Sequence, residues 1–138
     1  MNILFMCVAN SARSQLAEGL AKTFVNSGWT IMSAGSKPSH VNPFAIRALK
    51  EVNAPVESLH SKSVEDLPAA FVEQLDVVIT LCAEEVCPVI ITRARRLHWP
   101  LPDPAGGSGS DEDQMQTFRA TRDEIMRRLV EFQSSMVW

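Results

Sequence analysis

Asn2-Ile3-Leu4-Phe5-Met6-Cys7-Val8-Ala9-Asn10-Ser11-Ala12-Arg13-Ser14 is the stretch whose reading decides the fold. Asn2 to Met6 is a short continuous apolar run, the pattern of a strand buried on both faces and hence of a parallel sheet. After Cys7 come small and polar residues, and then Leu16, Leu20, Phe24 and Val25 recur at helical spacing until Asn26-Ser27-Gly28 stops the helix. Strand, tight loop and helix therefore follow one another directly.

Outward from this unit the same alternation continues. Trp29 to Ala34 reads as a second strand closed by Gly35, and Asn42 caps a helix opened by Pro43 with Ile46, Leu49 and Val52 facing inward. Ser63 and Asp66 resemble a capping arrangement for a short helix from Val64 to Glu73 bearing Leu67, Phe71 and Val72, with Pro68 leaving its length open. Asp76 to Leu81 is the clearest strand and delivers Cys82 at its end, whereas Ala83 to Ile91 is ambiguous between helix and loop. Arg95 to Trp99 is a last short strand. Prolines and glycines exclude regular structure from Pro100 to Gly109, and Asp111 to Met136 forms a long helix with Met115, Phe118, Ile125, Leu129 and Phe132 on one stripe.

The expected fold is a single-domain open α/β structure, with a mainly parallel four-stranded sheet and helices on both faces. No repeat or linker divides the chain, so residues 1–138 are read as one catalytic domain. With 138 residues and 46% hydrophobic side chains it can build a core without staples. Thirteen basic against sixteen acidic side chains, a net charge of −3, leave no broad footprint for nucleic acid or an anionic membrane. No apolar run approaches the roughly 18 residues of a membrane span, and no basic leader precedes Asn2, so a cytoplasmic location is expected. The odd number of cysteines, Cys7, Cys82 and Cys87, points to reactive thiols instead of a disulfide framework.

Ligands of open α/β sheets sit outside the carboxyl ends of the strands, where Cys7, Cys82 and the loop bearing Asp103 all belong. Cys7 and Arg13 form a Cys-x5-Arg loop. The backbone N–H groups of Val8, Ala9, Asn10, Ser11, Ala12 and Arg13 can curl around a tetrahedral oxyanion, with the helix dipole behind them and the Arg13 guanidinium gripping two oxygens. The same donors favour thiolate over thiol at Cys7, and Ser14 can add a hydroxyl hydrogen bond.

With these residues the chain resembles the low-molecular-weight tyrosine phosphatase superfamily, and most closely its arsenate reductase branch. The resemblance runs through residues 7–15, Ala17-Glu18-Gly19, Ser33-Ala34-Gly35, Val41-Asn42-Pro43, Val77 to Cys82, His98-Trp99-Pro100, Asp103-Pro104-Ala105 and Arg119 to Glu124, nearly the whole chain. It implies attack by Cys7 on the oxyanion, with Asp103 protonating the departing oxygen. For the reductase branch it implies that Cys82 attacks the Cys7–arsenic adduct and that Cys87 then converts the Cys7–Cys82 disulfide into Cys82–Cys87. A regular helix would hold residues 82 and 87 about 8.7 Å apart at Cα, beyond disulfide reach, so that segment must be irregular or unwind.

The substrate implied is arsenate, with phosphate or sulfate as analogues. No bound cofactor is expected, but an external thiol reductant is required: thioredoxin first, with glutaredoxin or a low-molecular-weight thiol as alternatives, because the gap between Cys82 and Cys87 is short. The competing readings are a tyrosine phosphatase and a non-catalytic thiol module that sequesters arsenite. The absence of tyrosine from the chain speaks against the phosphatase, whose relatives usually carry tyrosines in the acid loop.

Relatives also often hold a monovalent cation beside the loop, and Asn10, Glu18 and Ser33 match positions of that site, while Lys62 falls at its usual carboxylate position. Lys62 is read either as an ammonium in the cation's place, with no potassium requirement, or as a solvated lysine in a turn. Ala9 stands where many relatives have glycine, which argues for negative φ there. His40, His60 and His98 fit no closed zinc site with the cysteines, and His98-Trp99 is expected to pack at the strand end.

Overall fold

Burial on both faces of the first strand organises the protein. The computed structural model describes residues 1–24, 28–83, 89–107 and 109–135. Strands β1 (Asn2–Cys7), β2 (Thr30–Gly35), β3 (Leu75–Thr80) and β4 (Arg95–His98) form one sheet in the order β2-β1-β3-β4, every ladder parallel. Ile3 and Phe5 point into one hydrophobic cluster with Leu16, Leu20, Leu49, Phe118 and Ile125. Leu4 and Met6 point into the other, with Val78, Leu67, Phe71 and Ile90.

Helices α1 (Arg13–Phe24), α2 (Pro43–Lys50) and α4 (Asp111–Ser135) contribute to the larger cluster, and the short α3 (Ala69–Glu73) to the smaller one. Each fully buried Leu, Ile or Phe contributes roughly 1.5–3 kcal/mol, which lets β1 tolerate no polar residue between Ile3 and Met6. The expected α/β sheet with helices on both faces is the observed one.

Local signals read well where caps decide them. The Asn42 side chain accepts from Phe44 N at 2.9 Å, and Asp66 Oδ2 accepts both the N–H and the O–H of Ser63. The expected helix from Val64 to Glu73 is instead a 3-10 turn over Val64–Asp66 and the separate α3, because Pro68 cannot donate into a continuous ladder. The inward face of α2 is Ala45, Ala48 and Leu49, not Ile46, Leu49 and Val52; Val52 lies past the helix end and is 40% exposed. Ala45, Ala48 and Leu49 are fully buried, and Phe44 meets Phe118 of α4 with ring centres 5.6 Å apart. A left-handed Asn53, φ 59°, then turns Ala54 inward.

The loop after β4 also contains one 3-10 turn, Pro104–Gly106, where no regular structure is expected; Asp103 Oδ1 caps it by accepting from Ala105 N at 3.0 Å. The long C-terminal helix buries all five expected stripe residues and, in addition, Arg122. Arg119 and Arg122 converge on Glu51, at 2.7 and 2.8 Å, tying α4 to the end of α2. Val25, Asn26, Ser27, residues 84–88 and Met136, which carry parts of the sequence reading, lie outside the described residues.

The strand ends line up: Cys7 pairs with Gly35, Met6 with Thr80, and Thr80 with His98. Strand order reverses at β1, which has β2 on one side and β3 on the other, and the crevice at such a reversal is where a ligand can enter.

Candidate active site

The Cys7–Arg13 loop is shaped from outside. The carbonyl of Val8 accepts from Lys37 N at 2.9 Å, that of Ala9 from Ser39 N at 3.1 Å and Ser61 Oγ at 3.0 Å, and that of Ser11 from Asn42 N at 3.0 Å. Gln15 Nε2 takes the Asn10 carbonyl at 3.0 Å, and the Ala12 carbonyl starts the ladder of α1 through Leu16 N at 2.9 Å. In a trans peptide the N–H points opposite to the C=O, so these outward carbonyls turn their N–H groups into the hollow of the loop.

Asn10 supplies the required left-handed turn at φ 47° and is wholly buried. Ala9 does not take positive φ, as its side chain requires; the glycine-like conformation falls one residue later, on an asparagine that tolerates it. Gly35 is the neighbour this loop needs. A Cβ there would stand 2.8 Å from Cys7 O and 2.9 Å from Asn10 N, closer than packing allows, so β2 can flank the loop only with glycine.

Cys7 Sγ lies 2.8 Å from Ser14 Oγ, and Cys7 as a residue is 2% exposed. Arg13 is buried and its Nη1 donates to the carbonyls of Leu101 at 2.9 Å and Leu81 at 3.4 Å, while Nη2 stands 4.0 Å from Asp103 Oδ2. The guanidinium thereby binds together the loops that follow β1, β3 and β4. Asp103 is half exposed at the rim of a cleft of about 120 Å³ that also touches Cys7, Ser39 and Ala105.

Cys82 is buried next to Leu81, whose N–H donates to Met6 O at 3.0 Å and whose carbonyl accepts from Leu101 N at 3.2 Å. Cys7 and Cys82 thus leave adjacent strands at the same edge. Cys87 lies outside the described residues. His98 does not pack as expected: it is exposed and bonded to Thr80 Oγ1 at 2.7 Å, and Trp99 alone does the packing, against Phe5 and Phe132.

Asn10, Glu18, Ser33 and Lys62 come together behind the loop. Asn10 Nδ2 donates to Ser33 Oγ at 3.0 Å, Ser33 donates to Glu18 Oε1 at 2.5 Å, and Lys62 Nζ is 3.5 Å from that same oxygen. Burial lowers the Lys62 ammonium below its ordinary value, with Glu18 pulling in the opposite direction. Asn10 Oδ1 already accepts from Lys62 N and Gln15 Nε2, and Glu18 Oε2 from Lys22 Nζ at 2.6 Å. These oxygens are committed to donors and an ammonium stands beside them, so the residues do not fit an additional monovalent cation. Among the described residues no three His, Cys, Asp or Glu side chains are grouped to hold a metal ion.

Residues 2–137 match the family model of low molecular weight phosphotyrosine protein phosphatase. The chain belongs to this family. A relative named arsenate reductase, from Halalkalibacterium halodurans, is 38% identical over 132 residues, covering 94% of this chain and 93% of its own. A solved structure described as an arsenate reductase in the phosphate binding state aligns with TM-score 0.79 at 30% identity over 99% of this chain and 98% of its own. A thioredoxin-dependent arsenate reductase from Corynebacterium glutamicum aligns with TM-score 0.63 at 26% identity, over 96% of this chain and 63% of its own.

The sequence names Cys7, Arg13, Ser14, Cys82 and Asp103, of which Cys7, Arg13 and Asp103 line one cleft with Ser14 bonded to Cys7, but it does not single out the residues that shape the loop. Ser39, Ser61 and Gln15 position loop carbonyls, and Leu101 anchors Arg13. Only Gly35, a glycine at the very end of a strand, carried a signal that could have revealed it.

Proposed function

We propose that this protein reduces arsenate to arsenite with a thiol relay. Cys7 thiolate attacks arsenic, an S–As bond forms, and an oxygen departs as water after taking a proton from Asp103. Cys82 thiolate then attacks Cys7 sulfur; the S–As bond breaks with its electron pair going to arsenic, which leaves as arsenite, and a Cys7–Cys82 disulfide remains. Cys87 thiolate attacks Cys82 sulfur, releasing Cys7 and forming Cys82–Cys87, which an external dithiol reduces.

The observation that carries this reading is a second buried cysteine, Cys82, two residues past the end of β3, the strand beside the one that ends in Cys7, in a chain whose relatives are named arsenate reductases. A phosphatase needs only Cys7 and water; two-electron reduction needs the neighbouring thiol. Thioredoxin is the proposed reductant, in line with the name of the Corynebacterium structure.

Replacing Cys82 by Ser tests the proposal. Arsenate turnover with thioredoxin should stop while hydrolysis of an aryl phosphate, which uses the first step alone, stays within a few fold. Parallel loss of both activities, or retained arsenate turnover, overturns it. Cys7→Ser should abolish both.

A further inference from the structure

A line of buried polar side chains runs from Cys7 to the back of the loop. Ser14 Oγ is 2.8 Å from Cys7 Sγ, and Asn10 Nδ2 donates to Ser14 Oγ at 2.8 Å and to Ser33 Oγ at 3.0 Å. Ser33 donates to Glu18 Oε1 at 2.5 Å, and Glu18 meets two ammonium groups, Lys62 at 3.5 Å and Lys22 at 2.6 Å. Asn10, Ser14 and Ser33 are wholly buried and Glu18 is 3% exposed.

The hydrogens in this line have one arrangement. An ionised carboxylate only accepts, so Ser33 must give its proton to Glu18 and accept from Asn10. The Asn10 amide is oriented independently, because its oxygen accepts from Lys62 N and Gln15 Nε2, so both Nδ2 hydrogens go to serines. Ser14, accepting from Asn10, is left with its own proton to donate to Cys7, and a sulfur that receives a hydrogen bond is favoured as thiolate.

Both Lys62 and Lys22 face Glu18, the Asp66 carboxylate is also within electrostatic reach of Lys62, and Lys62 is the better shielded of the two ammonium groups, its side chain 8% exposed against 29% for Lys22. Lys62 also donates from Nζ to His60 O at 3.1 Å and from its backbone to Asn10 Oδ1, so one residue sets both the charge and the amide orientation.

We propose that Lys62 is a resident cation of the oxyanion loop, a positioning residue whose ammonium acts through Glu18, Ser33, Asn10 and Ser14 to favour the Cys7 thiolate, so that activation requires no monovalent ion from solution. This rests on the reading of Cys7 as nucleophile, but its test does not use arsenate. A cavity of about 360 Å³ beside Glu18, Lys22, His60 and Lys62 gives small cations a route to the place that a shortened side chain would vacate.

The test is the rate of Cys7 alkylation by iodoacetamide, followed peptide by peptide by mass spectrometry at near-neutral pH. The unaltered protein should react equally fast in potassium chloride and in tetramethylammonium chloride of the same ionic strength. Lys62→Met should react on the order of tenfold more slowly, the scale of one unit of proton affinity, and Lys62→Arg should stay close to the parent. Lys62→Ala should be slow in tetramethylammonium and recover several-fold with potassium or ethylammonium ions. Potassium acceleration of the unaltered protein, or parent-like alkylation of Lys62→Met, overturns the proposal. If Lys62→Met does not fold, the salt comparison on the unaltered protein and the rescue of Lys62→Ala still decide it. Failure of arsenate turnover with normal alkylation behaviour would count against the reductase reading and leave this inference standing.

Discussion

Arg13 Nη2 stands 4.0 Å from Asp103 Oδ2, while Nη1 of the same guanidinium donates to the carbonyl of Leu101, two residues before that carboxylate. The residue proposed to clamp the oxyanion thus also fixes where the proposed acid sits. Lysine, a point charge, cannot hold a backbone carbonyl and two substrate oxygens together. Arg13→Lys is expected to lower arsenate and aryl-phosphate turnover together, by on the order of 10²–10³, the cost of a lost oxyanion donor. Parallel kinetics on the two substrates check this, and a loss confined to one of them would contradict it.

Asp103→Asn retains the cap on Ala105 N, since an amide oxygen accepts as a carboxylate does, and removes only the proton. The first chemical step should slow by roughly 10²–10⁴-fold, and the limb of the pH–rate profile due to the acid should disappear. A profile with both limbs intact would assign the acid to another group.

Gly35→Ala places a methyl group against Cys7 O and Asn10 N, both backbone atoms of the loop. The loop must shift, and a displacement of about 1 Å at a reacting centre costs on the order of 10²-fold in rate. Gly19→Ala is the control: the atoms nearest its Cβ belong to the flexible Leu49 side chain, the first at 2.8 Å, and Gly19 does not line the cleft. Crystal structures and kcat of the two variants should differ in this sense, with Gly19→Ala losing some thermal stability but little activity.

Hydrogen bonds from Arg119 and, against a desolvation cost, from Arg122 pull the Glu51 carboxyl from 4.5 to about 2. A carboxylate with a depressed folded value contributes stability above its unfolded value, and loses it as pH falls through the folded one. The stability gap between the parent and Glu51→Gln should therefore be full above about pH 4.5 and close as pH falls towards 2. Urea unfolding at pH 7, 4 and 2.5 measures it; a gap independent of pH would show that the α2–α4 clamp is not ionic.

Asn2 to Met6, the Asn42 and Ser63 caps and the Met115 to Phe132 stripe were legible because their causes are local: period, cap chemistry and proline position lie within a few residues of their effects. The same holds for Cys7, Arg13 and Ser14, whose spacing between a buried strand and a helix is what suggests the proposed oxyanion loop. The inward face of α2 was misread because hydrophobicity favours Ile46 and Val52, whereas the helix buries the small Ala45 and Ala48 beside Leu49 and ends before Val52.

By itself, then, the sequence determined a parallel α/β sheet with a thiol and a guanidinium at the end of β1. Only the tertiary structure decided which way the loop peptides face, because the donors that turn their carbonyls outward come from Lys37, Ser39, Asn42 and Ser61, some 30–50 residues away. It alone brought the Lys62 ammonium to Glu18, and the Leu101 carbonyl to Arg13, 88 residues distant. Hydrogen bonds between such remote groups leave no periodicity in the chain, since each needs only one polar atom at the right place once the sheet has formed.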